Sequence, residues 1–464
     1  MKYFIFCFYK NHKYTNQKYY ILKTKIIIAV ALFTSIASFS QKRWTLKECV
    51  DQALERNISV QQNKLNVLSA EKDVSIAKGN FLPNLNGSTG GNLNFGSGID
   101  PVSNSRVSTS FFGGSLGLNT GYTIFNGFRN TNTYKQAKLG VEASQYDLQK
   151  MENDISLFVV RGYLDVLFAK ENLKVAQVQY EISKKQIEAV KSRFDAGDVA
   201  KGEVLNTQSA AASNLQAVVA QENVLSIALL NLAQAIQVPI QDFDIAPLDI
   251  DTPSSSLFYN NSETVFEKSL INRPEIESAR LAIESADLSI EIAKSNFLPT
   301  INASAGVSTN YGFNLNLPYG FSNTNLLTQL NDNFGYGFGF NVSVPIFNRF
   351  QTKNNVAKSK ISKEIFITRL ESEKIRLKQT IEQAFLDVKA SFNTYQAAKI
   401  SLAAQEEAFK NSQERYNFGD MSLFDFDQVR TRLVNAQGAL IRSKYDYAFK
   451  SKILEFYSGE LVLE

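Results

Sequence analysis

The sequence has almost none of the histidine and cysteine side chains on which the commonest catalytic sites depend, which leaves carboxylate or lysine chemistry as the alternative. The chain has one histidine, His12, and two cysteines, Cys7 and Cys49. His12 and Cys7 lie within the first forty residues, a segment with the pattern of an export signal. Without that segment a Ser-His-Asp or Cys-His site, a histidine-ligated metal and an internal disulfide are all excluded. An enzyme is therefore the least favoured class, and we expect no cofactor and no metal.

The predicted export signal also accounts for the positive net charge. Six lysines and no acidic residue occupy its first part, an apolar stretch from Ile26 to Phe39 follows, and small residues precede Gln41. This order predicts a signal peptide at 1–40 with cleavage near Ser40–Gln41, and an N-terminal membrane anchor is the alternative. The remaining 43 basic and 45 acidic residues form no basic stripe, so we expect no nucleic-acid partner.

Three sequence patterns occur twice, in the same order and about 220 residues apart. An Ile-Ala-Lys…Asn-Phe-Leu-Pro pattern at 76–83 returns at 292–299, Ile-Phe-Asn at 124–126 returns at 346–348, and an Arg-aromatic…Gly-Asp pattern at 193–198 returns at 415–420. The period is far longer than that of a solenoid, so we predict two copies of one unit, 41–261 and 262–464. Prolines and serines mark 237–261 as the linker between the copies.

Each copy has the pattern of a helix, two strands, a long helix and a second helix. In the first copy these elements are predicted at 45–80, 85–96, 108–125, 130–196 and 202–236. In the second copy they are predicted at 262–296, 301–312, 334–346, 350–418 and 422–457. After the signal, no stretch comes near the ~18 successive apolar residues that a membrane-spanning helix needs.

The predicted strands have two different faces. In the last of them, Phe334, Tyr336 and Phe338 share one face, opposite Gly335 and Gly337. The polar faces are nearly uncharged, aromatic residues collect on the apolar faces, and the lengths suit a tilted membrane crossing. These features favour a membrane barrel over a soluble sandwich, which is the alternative. Because four strands cannot close a barrel, the subunits must pool their strands in an oligomer.

The long helices favour a coiled-coil wall. A helix of about 65 residues is ~100 Å long. Apolar residues recur along it by threes and fours, as at Ile381, Phe385, Val388 and Phe392. An extended coiled coil without a pore is the alternative, but it has no need of strands inserted at equivalent points of each copy. The loops 97–107 and 313–333 between the strands are expected to face outward.

This organisation resembles the TolC family of outer-membrane efflux proteins. The resemblance covers nearly the whole chain after the signal. Its most specific motif is a helix–helix turn with an aromatic residue, a glycine and an acidic residue, here Phe194, Gly197 and Glu203, then Tyr416, Gly419 and Asp425. It implies an α+β membrane protein: a homotrimer whose transmembrane β-barrel, with four strands per subunit, continues into a long α-helical coiled-coil barrel. A belt from the linker and the C-terminus would surround that tube.

The resemblance also implies a function. Members of the family are passive exit ducts in the outer membrane, surrounded by lipid and prolonged into the periplasm. A periplasmic adaptor protein and an inner-membrane pump of a tripartite efflux or type I secretion system would be the partners. A porin, a coiled-coil surface protein and an enzyme follow in that order, because porins lack the helical half and catalytic residues are missing. The cargo is not predicted, although three methionines make a copper relay an unfavoured choice.

The two turns are the candidate functional site. The resemblance implies tips that contact the adaptor and a constriction above them, with Gly197, Asp198, Gly419 and Asp420 at the tips and Asp425, Gln428, Tyr416 and Glu203 at the constriction. Each glycine is expected to end its helix with a positive φ. Copies of Asp425 around an axis would form an anionic ring, and compensation of a helix N-terminus is the alternative role. Met421 stands where the family often has a basic residue, and Gln428 where it has a second acidic one.

Overall fold

The computed structural model describes residues 43–99, 104, 106–247, 261–317, 320 and 322–459. Within those residues the chain is mostly helical. The helices are α1 (Leu46–Arg56), α2 (Ile58–Gly79), α3 (Arg129–Asp195), α4 (Lys201–Ala235), α5 (Ser262–Asn272), α6 (Pro274–Lys294), α7 (Leu326–Asp332), α8 (Gln351–Asn417) and α9 (Leu423–Ser458). The strands are β1 (Arg43–Trp44), β2 (Asn84–Ile99), β3 (Arg106–Asn126), β4 (Asp244–Ile245), β5 (Thr300–Asn314) and β6 (Gly335–Ser343). The predicted signal peptide, its cleavage site and 248–260 of the linker lie outside the described residues.

The first helix predicted in each copy is in fact two helices, so the single spans 45–80 and 262–296 were wrong. Asn57 separates α1 from α2 with extended backbone angles, and its side-chain oxygen accepts a hydrogen bond from Ser59 N–H. Arg273 separates α5 from α6, where Pro274 occupies the first helical position. A capping asparagine and a proline each start a new helix without ending the apolar periodicity. The periodicity therefore hid both breaks.

The helices lie side by side in a row. In the half nearest the strands the order is α2, α3, α6, α8, and in the half farthest from them it is α4, α3, α9, α8. The two 67-residue helices α3 and α8 run through both halves. The short helices α2 and α6 therefore pack on the first half of the long ones, and α4 and α9 on the second. Both rows end at α8 on one side.

The four longer strands form one antiparallel sheet in the order β2-β3-β5-β6. The strands from β2 to β6 contain 16, 21, 15 and nine residues, so the first three are longer than predicted and β6 ends at Ser343 rather than at 346. A bulge between Thr123 and Phe125 pairs Phe125 with Ile301. The extra residue moves Phe125 to the apolar face, next to Tyr122 and Ile124. Within the described sheet, β2 and β6 are edge strands.

Each strand pair is joined to its long helix by two residues in the left-handed region. They are Gly127 and Phe128 in the first copy (φ 67° and 65°), and Arg349 and Phe350 in the second (φ 56° and 62°). A Cβ atom on Gly127 would lie 2.6 Å from the backbone oxygen of Ser295, so this position requires glycine. The turn brings Phe128 edge-on to Phe125 at 5.3 Å, and Phe350 stands in the same relation to Phe347 at 5.5 Å.

The start of the described chain is tied to the linker by a parallel ladder between β1 and β4. The Tyr163 hydroxyl lies 2.7 Å from the carbonyl oxygen of Ala246 and 3.2 Å from that of Trp44. Lys170 Nζ donates to the carbonyl of Ile245 at 3.0 Å. The first part of the predicted linker is thus held on α3, next to a buried cluster in which α1, α3 and α4 meet.

We expect Tyr163→Phe to destabilise this region by about 1–3 kcal/mol, because the carbonyl oxygen of Ala246 loses the hydroxyl that donates to it at 2.7 Å. Burial is the largest cause that raises the pKa of Tyr163, and the neighbouring Cys49 and Asp244 raise it further. A tyrosine whose pKa is higher in the folded state stabilises the fold fully below about pH 10, and that stabilisation is lost as the pH rises further.

Thermal unfolding of the purified protein, measured from about pH 8 to 11, checks this. The parent should lose stability on alkalinisation more steeply than Tyr163→Phe. Tyr146→Phe, a change at a partly exposed tyrosine of the same helix, is the control and should behave like the parent. Equal slopes in the parent and Tyr163→Phe would contradict the assignment.

Candidate channel constriction at the helix tips

The two helical hairpins turn in the same way. Gly197 follows α3 with φ 86° and Gly419 follows α8 with φ 82°. Asp198 N–H donates to Arg193 O and Asp420 N–H donates to Arg415 O, both at 2.9 Å. These bonds close the six-residue turn that a left-handed glycine permits at a helix end. The positive φ predicted for both glycines is confirmed, and Asp198 and Asp420 lie exposed on the two tips.

The helices after the two turns begin differently. Ser422 caps α9: its hydroxyl oxygen accepts from Asp425 N–H at 3.1 Å and the hydroxyl lies 2.7 Å from Asp425 Oδ2. Ala200 stands at the matching position of the first copy and makes no side-chain cap. Asp425 therefore compensates the N-terminus of its own helix. Asp425 is exposed, and Gln428 is exposed on the same helix face.

Tyr416 lies inside its hairpin. Its ring stacks on Phe426 at 4.9 Å with an interplanar angle of 9°, and Phe426 in turn stacks on Phe409 at 5.5 Å. Phe426 is buried, whereas Tyr416 keeps partial exposure. The matching positions of the first copy are Ile187, Phe194 and Val204, which carry only one aromatic ring. The second hairpin is thus braced by an aromatic stack that the first does not have.

Sequence reasoning missed a polar cluster one turn above the second tip. Arg430, only 3% exposed, pairs through Nη2 with Asp427 Oδ1 at 2.9 Å and donates through Nη1 to Gln186 Oε1. Gln186 Nε2 also lies 3.5 Å from Asp427 Oδ1. Gln186 belongs to α3, whereas Asp427 and Arg430 belong to α9. The cluster therefore joins the two internal repeats of the chain. The spacing of Asp427 and Arg430 by three residues was the available signal, but nothing local indicated Gln186.

Burial dominates the electrostatics of this cluster. It raises the pKa of Asp427, and the positive charge of Arg430 and the Gln186 hydrogen bond act in the opposite direction. Burial likewise lowers the pKa of Arg430, against the effect of Asp427. Arg430 Nε is buried and makes no hydrogen bond. A buried pair in this setting costs desolvation energy, so it positions α9 on α3 more than it adds net stability.

The predicted site residues fall into separate places. Asp425 and Gln428 lie on the exposed face of α9, Tyr416 lies in the aromatic stack, and Glu203 is in the first turn of α4, on the other hairpin. One chain therefore brings together only part of the predicted constriction. Asp427 directly precedes Gln428 in the sequence and so lies on a different side of α9, where it faces α3.

A family model described as outer membrane efflux protein matches residues 49–237 and 265–460. The chain belongs to this family. It is 20% identical over 448 residues to the outer membrane efflux protein BepC of Brucella suis, covering 96% of this chain and 91% of BepC. It is 24% identical over 376 residues to the outer membrane protein TolC of Escherichia coli, covering 75% of this chain and 74% of TolC. The resemblance to TolC is thereby confirmed.

The fold is that of solved outer-membrane channels. The structure of the Campylobacter jejuni CmeC outer membrane channel superposes with a TM-score of 0.72 at 21% identity, covering 90% of this chain and 86% of that one. The protein with the sequence analysed above is an outer-membrane protein with a periplasmic extension. It serves as an exit duct of an efflux or type I secretion system, and its family is a transport family whose members work with adaptor and pump partners.

We expect Arg430→Met to loosen the contact of α9 with α3 by about 2 kcal/mol, because Asp427 is left partly buried without its cation. Adding Asp427→Asn should restore most of that loss, since a neutral amide costs less to bury than a lone carboxylate. Limited proteolysis at the tips and thermal unfolding measure both changes. Arg432→Met, two residues away on an exposed position, is the control. If the double variant is as unstable as Arg430→Met, charge is not the cause.

Proposed function

We propose that three copies of this chain close into one channel, a twelve-stranded barrel that continues into a helical tube, and that substrates cross it passively. The observation that carries the proposal is the common edge of two layers. The sheet ends at β2 and β6, and the helical rows end at α2 or α4 and at α8. Both layers therefore run from elements of the first repeat to elements of the second repeat. One rotation that places a second subunit beside the first completes both layers. Head-to-tail contacts of this kind close into rings.

The outer face of α8 has the character of an interface. Its packed side includes Thr352 and Leu370, whereas Ile361 and Ile365 lie on the opposite side of the helix and are exposed, Ile361 at 62%. A second subunit would bury these isoleucines. A helix face that is exposed to water usually has polar residues at such positions.

The opposite edge of the row presents matching apolar residues. On α2, exposed Ile58, Leu65 and Ile76 lie on one stripe, away from buried Val60 and Ala77. Their spacing of seven and eleven residues follows the same face along the helix. The stripe supports contact with α8 of the next copy in the half nearest the strands.

Helix α4 forms the same edge in the half farthest from the strands. It is long and apolar enough by composition to cross a membrane, although only 11% of its most apolar window is buried. Leu205, Val219 and Ile227 are exposed on its unpacked side. Helix α4 packs along α3 of the same chain on one side. A position between subunits would account for the apolar surface on its other side.

The sheet has the surface of a barrel wall. Tyr336, Phe338 and Phe340 are exposed on one face of β6, Phe338 at 86%, and glycine, serine and asparagine fill the other face. Aromatic residues toward lipid and small polar residues toward water are typical of outer-membrane barrels. Pooling of strands also removes both sheet edges, which lipid does not tolerate.

The tips are the proposed periplasmic end. We infer that Asp425, Gln428, Tyr416 and Glu203 line the constriction, and that Gly197, Asp198, Gly419 and Asp420 meet the adaptor. Exposed Phe418 and Phe424 give the second tip an apolar surface for that contact. The inner-membrane pump supplies the energy, and no residue of this chain has a catalytic role.

Single-channel conductance in planar bilayers tests the duct. We expect the parent to open poorly and Asp425→Ala to conduct at least about tenfold more often, because removing a charge that holds closed contacts costs the closed state roughly 1.4 kcal/mol. Asp420→Ala, an acidic residue on the same tip outside the constriction, should resemble the parent. Free conductance by the parent would indicate a porin, and none by any variant a pore-less coiled coil.

Assembly tests the edges. Ile361→Glu with Ile365→Glu should abolish the trimer in detergent, as measured by light scattering, because two carboxylates would be buried at each junction. Lys360→Glu, exposed on the same helix but about 100° or more around it from both isoleucines, should leave it intact. A trimer that survives the double change places the junction elsewhere.

A further inference from the structure

Strand β5 extends beyond its neighbour β6. The two pair from Thr300 to Ser308, and β5 continues to Asn314. Above Ser308 its backbone on the β6 side has no strand partner in the described sheet. An unpaired strand edge of this kind is a site for pairing with other chains.

Amide side chains take the place of the missing strand. Asn323 receives Asn314 N–H at 2.8 Å and donates to Asn314 O at 2.9 Å. Gln329 Oε1 receives Gly312 N–H at 2.7 Å. Asn333 Nδ2 donates to Asn310 O at 2.8 Å. Four backbone groups along this edge are thus satisfied by the segment that contains α7.

The alternation of the strand shows which side these groups face. Leu315 N–H donates to Ser110 O, so odd-numbered residues here direct their backbone groups toward β3. Asn310, Gly312 and Asn314 have even numbers and face away from β3. Helix α7 therefore occupies the position in the sheet that an extension of β6 would take.

This position matters at the junction between copies, and the argument rests on the proposed trimer. Strand β6 has nine residues, whereas β2, which would follow it in the ring, has 16. At least seven residues of β2 then have no β6 partner. Leu327 of α7 is 74% exposed, and Leu93 and Phe95 of β2 are exposed as well.

We propose that α7 seals the junction between two copies at the outer end of the barrel, with its Leu326 and Leu327 against the upper part of β2 of the next copy. The occupant is a second copy of this chain, because in the proposed ring the described part of β2 has an uncovered length beside α7. Helix α7 fills the space beside β5 that the shorter strand β6 leaves open.

Cysteine cross-linking of the full-length protein in outer membranes tests this. Leu327→Cys is combined in turn with Leu93→Cys, Asn94→Cys, Phe95→Cys and Ser97→Cys, which sample both faces of β2. Cys49 is fully buried and does not compete. We expect covalent dimers and trimers on a non-reducing gel from at least one pair, and none from the single variants. Leu298→Cys with Phe95→Cys, which places one cysteine at the other end of the sheet, is the matched control.

A second pair of changes separates α7 from the rest of the junction. Gln329→Ala with Asn333→Ala removes two of the bonds that hold α7, and cross-linking should fall by about fivefold for each bond lost. The trimer itself should persist, because β6 and the helical rows remain.

Each outcome has one meaning. A trimer without cross-links in any pair overturns the seal and leaves the channel proposal standing. Absence of a trimer in the parent protein overturns both. Labelling of the Leu327→Cys variant by a membrane-restricted thiol reagent, without cross-links, assigns α7 to lipid and overturns the seal.

Discussion

Each of the four longer strands and each helix of the two rows lies beside two neighbours within one chain, except the outermost elements. For the outer strands of the proposed barrel a further neighbour is strictly required, because lipid offers no hydrogen bonds to an open sheet edge. For the helices it is a matter of apolar area, as at Ile361 on α8 and Ile76 on α2. Both layers run from elements of the first repeat at one edge to elements of the second repeat at the other. In the proposed ring, a neighbouring subunit would therefore complete the sheet and the helical rows together.

The two internal repeats have the same order of elements and the same turns. The differences between them lie mainly at the tips of the helical hairpins. Both hairpins turn at a left-handed glycine, and both strand pairs enter their helix through two left-handed residues. Only the second hairpin has a Ser422 cap, a stacked Tyr416–Phe426 pair and the Arg430 cluster. The Arg430 cluster joins α9 of the second hairpin to α3 of the first, so it anchors the two hairpins to each other. The serine cap and the aromatic stack are the features that distinguish the second tip.

At several places where a regular ladder stops, a side chain connects that point to a distant element. Asn57 caps α2 and also donates to Ala235 O at 3.3 Å, at the end of α4. Arg273 occupies the equivalent break, where its guanidinium lies over the rings of Phe456 and Tyr457 at the end of α9. Gln329 completes the edge of β5 in the same manner. These residues link elements that are distant in the sequence, which fixes the ends of helices and strands relative to each other.

The sequence by itself determined the duplication, the order of elements, the alternating faces of the strands and the glycine turns, because each of these depends on neighbours within one or two turns of chain. It did not reveal the breaks at Asn57 and Arg273, since the apolar rhythm continues through both. Only the tertiary structure decided that Ser422 caps α9 by accepting from Asp425 N–H, that Tyr416 packs inward and that Gln186 meets Arg430 across 244 positions. Contacts of that kind depend on which helix lies beside which, and periodicity along one helix contains no information about its neighbour's register.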